Sequence, residues 1–304
     1  MNQNGKTLFR IGILAAGVAA RSWGASGEEK DLAPNGKGAG TINHPPQSNA
    51  GSKPARPVGN GISYHGGPVI LGTTNVYYIW YGNWAGNGAE SILTPLAMNI
   101  GGSPYFNINT SYYNGAGVRV SNSVNYAGST TDNYSQSTAM NDNGVQAVVS
   151  SAISSGRLPK DTNGVYFVLT SADVNETTGF CTQYCGWHTH GTISGSDIKY
   201  AFIGNPDRCP TACMAQTTSP NGNPGADGMA SIIAHELEEA VTDPDLNAWY
   251  DSRGQENADK CAWTFGSTYT TSNGSKANMK LGNLDYLIQR NWVNASGGYC
   301  ALSY

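Results

Sequence analysis

The chain has 304 residues, a formal net charge of −4, and only 12% charged residues. No basic patch supports nucleic-acid binding, and no basic amphipathic helix supports attachment to a membrane surface. Six cysteines, Cys181, Cys185, Cys209, Cys213, Cys261 and Cys300, read as a disulfide framework made in an oxidising compartment.

Lys6 and Arg10 precede an apolar run from Ile11 to Ala20, and Val18-Ala19-Ala20 supplies small residues for cleavage. This is the layout of a secretory signal peptide over residues 1–20, and the run is too short to span a bilayer. The mature protein is therefore expected outside the cell, with no membrane association after cleavage. Residues 21–66 are rich in Gly, Pro, Ser, Asn and Lys. Such a stretch buries too little apolar surface to offset its ordering entropy, and it reads as a flexible linker or pro-segment. His44 and His65 fall there and receive no role.

Composition changes at Gly67. The β-branched and aromatic run over 69–84 predicts a strand, and 92–100 a helix. Val118, Val120 and Val124 alternate with polar residues, which predicts a half-exposed strand over 117–126. A glycine-closed helix over 144–156 follows, then short buried strands at 165–170 and 200–203. Strands alternating with helices predict one α+β or α/β domain over 67–304, built on a central mixed sheet with a disulfide-stapled C-terminal part. Cys261 and Cys300 are expected to pair and tie down the tail, with the other four pairing among themselves. Two Cys-x-x-x-Cys pairs holding zinc are the rival reading.

The chemistry centres on Asp227 to Pro244. Asp227 reads as an N-cap, and Met229, Ile232, Ile233, Leu237 and Ala240 mark one buried helical face. Pro244 stops the helix because it has no amide hydrogen. His235 and Glu239 stand one turn apart on one side, with Glu236 between them and the apolar face. Glu238 points away and reads as solvated. His-Glu-x-x-His is the zinc-hydrolase form of this pattern, with the glutamate as general base. Here Glu239 replaces the second histidine, and a carboxylate oxygen can bind zinc at nearly the same distance.

A catalytic zinc takes three protein ligands and one open position. Glu256 is the expected third ligand, so the zinc set is His235, Glu239 and Glu256. Asp243 and Asp259 are expected to orient ligands. His188 and His190 are the alternatives, His188 also as a donor to a developing oxyanion; as loop histidines they have an equally plain structural reading. Asp243, Asp245, Asn247 and Asp251 open like a calcium loop, but Ala248 and Gly254 stand where an EF-hand needs Gly and Glu. Asn109, Asn133, Asn175, Asn273 and Asn294 sit in glycosylation sequons.

Several stretches together resemble the phosphate-induced protein 1 / EXORDIUM family. They are Tyr78-Ile-Trp-Tyr-Gly-Asn-Trp84, Gly164 to Ser171, Phe180-Cys-x-x-x-Cys-Gly-Trp-His188, Gly204-Asn with Cys209-Pro-x-x-Cys213, and Asp227 to Tyr250. Glu256-x-x-Asp-x-Cys261 and Cys300 fit the same pattern. The resemblance implies a secreted protein; plant members are apoplastic and linked to growth. Thr242-Asp243-Pro244 looks more like microbial members, so a hormone-response role does not carry over. The helix is also similar, locally, to a zincin active-site helix.

Two functions follow as expectations. One is a secreted zinc-dependent hydrolase of the metallopeptidase kind, acting on a peptide or cell-wall-associated substrate, with Glu236 and His188 catalytic. The other is a non-catalytic extracellular protein in wall or growth-related contacts, whose metal or acidic cluster is structural.

Overall fold

The computed structural model describes residues 61–304. The expected signal peptide and most of the 21–66 segment lie outside the described residues. The end of that segment belongs to the folded domain. Ile62 is buried, Ser63–Tyr64 (β1) pairs antiparallel with Trp249–Tyr250, and the His65 ring stacks on Tyr250 at 3.7 Å. A two-residue pairing with a partner so distant in the chain leaves no local periodicity to read.

Five strands form the central sheet: β2 (Thr74–Tyr81), β3 (Val124–Asp132), β4 (Gly164–Thr170), β5 (Gly186–Ile193) and β6 (Ser196–Ile203). Their order is β3-β2-β4-β6-β5. The first four are parallel, and β5 runs antiparallel to β6 at the edge, so the sheet is mixed as expected. Every residue of β4 is buried, because helices cover a parallel sheet on both faces and its inner strands become continuous apolar runs. Helix α1 (Glu90–Ile100) links β2 to β3, and α2 (Asp142–Ser154) carries the chain back over β2 to β4. Right-handed crossovers in opposite directions put these helices on opposite faces.

Helix α3 (Pro224–Thr242) packs beside α1 and against β5 and β6. It begins earlier than the expected Asp227 cap. The Asn223 side chain accepts the Ala226 amide at 3.1 Å, and Pro224 occupies the first turn, where its missing N–H costs nothing. Asp227 instead sits in that turn and accepts from Asn221 Nδ2 at 2.6 Å and the Asn221 amide at 3.0 Å. Asp243 leaves helical geometry at φ −141°, immediately before Pro244.

Strand β3 lies further along than the expected 117–126, because its Ser, Thr and Gly residues carry little apolar signal on a half-exposed edge. Strand β5 is absent from the sequence reading, which treats Trp187 to His190 as loop. The hairpin to β6 turns at Ser194 (φ 51°) and Gly195 (φ 75°), the left-handed pair that matches strand twist. Three disulfides, Cys181–Cys209, Cys185–Cys213 and Cys261–Cys300, match the expected pairing and rule out cysteine as a zinc ligand. Among the described residues no helix is long and apolar enough to cross a membrane. Of the sequons, Asn109 is fully buried and cannot carry a glycan.

Candidate metal centre

Three segments converge under α3. The helix supplies His235, Glu236 and Glu239, β5 supplies His188, and the chain after β1's partner strand Trp249–Tyr250 supplies Glu256 and Asp259. The one-turn spacing puts His235 Nε2 3.1 Å from Glu239 Oε1. Asp259 opens a single helical turn ending at Cys261. Its amide donates to Glu239 Oε1 at 3.0 Å, and its Oδ1 lies 3.6 Å from His235 Nε2. On the opposite side, His188 Nε2 lies 3.0 Å from Glu256 Oε2 and 3.8 Å from Glu239 Oε2.

These contacts resolve into two sets of possible ligand atoms, each within 4.8 Å of one another. One is His235, Glu239 and Asp259; the other is His188, Glu236 and Glu239. Glu256, the expected third ligand, belongs to neither and is seated on His188 instead. Asp259, expected behind the ligands, lies in the set with His235 and Glu239. The helical turn that Asp259 starts is pinned by Cys261, which points its carboxylate at the helix while Glu256 reaches toward β5.

The donors are sealed from solvent. His188, His235, Glu236, Glu239 and Glu256 are each no more than 1% exposed, and Asp259 is 6%. Several ligand-type atoms have no hydrogen-bond partner among the described residues, including both His235 ring nitrogens, Glu239 Oε2 and Asp259 Oδ1. The His235–Glu239 approach is close in distance but is not aligned as a hydrogen bond. A buried carboxylate left without a partner costs several kcal/mol, so a native structure keeps one only with a compensating cation or proton. One imidazole with two carboxylates is a donor set that suits Zn²⁺. The residues fit a divalent cation.

Electrostatics agree with strong mutual influence. Burial pulls the His235 imidazolium down, but Glu239, Asp259 and Glu236 outweigh it and hold its pKa well above the ordinary histidine value. Burial pushes the Glu239 carboxyl up to about 6; His235 opposes the rise, and Asp259 and Glu256 add to it.

Other expectations change. Glu238 is fully buried, not solvated, because α3 is enclosed on all sides. It accepts from Asn291 Nδ2, and burial holds its carboxyl well above the usual range. His190 Nδ1 lies 2.8 Å from Asp197 Oδ1 in a half-buried group with Asp245. The Lys199 ammonium already fills that group's cation position, 2.5 Å from Asp197 and 3.4 Å from Asp245. The calcium-like loop is a capping loop: Asp243 Oδ1 accepts the Asn247 amide at 2.6 Å and the Ala248 amide at 2.5 Å.

Residues 62–281 match the phosphate-induced protein 1 conserved region. The chain belongs to this family. The family member is 34% identical over 237 residues to protein EXORDIUM-like 5 of Arabidopsis thaliana, covering 68% of this chain and 65% of that protein. It is 31% identical over 279 residues to EXORDIUM-like 3 of the same plant, covering 79% of this chain and 82% of that protein. It is 25% identical over 220 residues to protein PHOSPHATE-INDUCED 1 of Nicotiana tabacum, covering 62% and 67%. No solved structure matches it. His188, His235, Glu236, Glu239, Glu256 and Asp259 all fall inside the matched region.

Proposed function

We propose that this family member is a secreted, non-catalytic extracellular protein, and that its buried histidine–carboxylate cluster holds a divalent cation as a structural centre. His235, Glu239 and Asp259 would hold the ion, taken here as Zn²⁺. The observation that carries this reading is burial: His235 and Glu239 are 1% and 0% exposed, leaving a substrate no approach to an ion between them. A structural ion closes its coordination with protein groups, whereas a catalytic one keeps a position open to water and substrate. Bound there, it would join α3 to the segment around Asp259. Three disulfides and the leader-like N-terminus support an extracellular setting, with a wall-associated polymer or peptide as the partner class.

One observation favours a hydrolase as second reading: Glu236 lies in the same set as His188 and Glu239, where a base beside a metal-bound water would stand. The likeness of α3 to a zincin helix stays local to its motif. Metal analysis of the purified mature protein tests the first reading, with about one or more zinc per chain expected and a loss in His235→Ala. Glu236→Gln separates the two. If that variant keeps its metal but loses a peptide-hydrolysing activity present in the parent, the structural reading fails.

A further inference from the structure

The cluster holds more ligand atoms than one cation needs, and they are not arranged around one point. His188 and His235 fall in different sets, and Glu239 is the member common to both. The two oxygens of Glu239 face opposite ways: Oε1 is 3.1 Å from His235 Nε2, and Oε2 is 3.8 Å from His188 Nε2. Oε2 has no hydrogen-bond partner among the described residues, and the side chain is 1% exposed. A carboxylate that points one oxygen at each of two histidines has the shape of a bridging ligand.

We propose that the centre binds two divalent cations, with Glu239 bridging an ion held by His235 and Asp259 to a second held by His188 and Glu236. Charge balance argues for the pair. Glu236, Glu239, Glu256 and Asp259 bring four carboxylates into one buried region. With both histidines neutral as ligands, one divalent ion neutralises half of that charge and two neutralise all of it. The lysine next to Asp259 does not contribute, since Lys260 turns to Asp251 at 3.2 Å. Each ion would have one imidazole nitrogen and two carboxylates, a set for a first-row divalent metal. A carboxylate bridge suits ions roughly 3.5–4 Å apart, the spacing of known two-metal centres. Glu256 Oε2 lies 3.0 Å from the same His188 Nε2, so it would stand beside the second ion as a further carboxylate rather than hold the ring's other nitrogen.

This inference rests on the metal-centre reading above, and the experiment separates the two. The mature protein is stripped with chelator, reloaded with Zn²⁺ and analysed for metal content. Two zinc ions per chain are expected, one in His188→Gln, and almost none in Glu239→Gln. In parallel, the unmutated protein is loaded with Mn²⁺ and examined by electron paramagnetic resonance, where two bridged ions give an exchange-coupled spectrum. That second measurement stands even if Glu239→Gln fails to fold. One zinc per chain with an uncoupled manganese spectrum overturns the pair and leaves the single-ion centre. Two zinc ions retained in His188→Gln also overturn the assignment. No metal at all removes both readings.

Discussion

The backbone amide of Asp259 donates to Glu239 Oε1 at 3.0 Å, fastening a residue 20 positions downstream to the ligand side of α3. Two residues later, Cys261 is bridged to Cys300 across 39 positions. The bridge thus holds the segment that aims Asp259 at His235. Replacing Cys300 with serine is expected to cost about 2–5 kcal/mol of unfolding free energy, the range for native disulfides in secreted domains. It should also weaken zinc binding, because Asp259 loses its anchor. Denaturant unfolding together with a zinc titration checks both; full zinc affinity in a destabilised variant would disprove the positional part.

Gly186 sets how close β5 comes to α3. A Cβ at this position would lie 2.5 Å from Ile232 Cγ2 and 2.9 Å from the Phe202 carbonyl oxygen. Its backbone is not left-handed, so the requirement is space alone. Gly186→Ala must push the strand from the helix, at about 1–3 kcal/mol for overpacking a close contact. His188 follows two positions on along the same strand and moves with it. The expected result is lower stability and, under the two-ion proposal, loss of the ion at His188 while the one at His235 and Asp259 persists. Metal content against urea midpoint tells these apart.

Much of this was legible in the sequence because the relevant periodicities are local. β4 is a run of Val, Tyr, Phe, Val and Leu, and α3 shows its one-turn His235–Glu239 pair directly. The Cys261–Cys300 pairing followed from its position in the chain. What escaped depends on distant partners. β5 has mostly polar residues and is a strand because β6 pairs with it, and Ser194-Gly195 was the one local sign of the hairpin. That Asp259 rather than Glu256 comes near His235 turns on the direction of a single helical turn, which spacing along the chain does not encode. Glu238 reads as solvated because a polar position on an amphipathic helix normally faces water, but here the C-terminal segment around Asn291 covers it.

Glu238 gives a sharp substitution test. Burial raises its carboxyl well above the usual range, opposed by Asn109, Asn291 and His235, which favours the neutral acid. Glu238→Gln keeps the shape and an oxygen to accept from Asn291, and is expected to change stability by less than about 1 kcal/mol. Glu238→Ala leaves Asn291 Nδ2 buried without its acceptor and should cost about 1–3 kcal/mol. Unfolding curves at pH 7 compare them; an equal cost for the two variants would refute the neutral form.

Asp243 predicts a pH dependence of opposite sense to an ordinary salt-bridged aspartate. Burial raises its carboxyl from 3.8 to about 7, helped by Glu256 and opposed by the Ala248 amide, His188 and the Asn247 amide. The folded state therefore keeps a proton that the unfolded chain has released, so the native state binds more protons between these values. Its contribution to stability is complete below the unfolded pKa and disappears as pH rises through the folded one. Asparagine in its place can still accept the Asn247 and Ala248 amides through Oδ1 but has no charge to bury. Asp243→Asn in chelated protein should flatten the fall in stability between about pH 4 and pH 7, and gain roughly 1–4 kcal/mol over the parent at alkaline pH. Urea unfolding across that range measures it, and parallel pH profiles for the two proteins would show that Asp243 is already ionised in the native state at neutral pH.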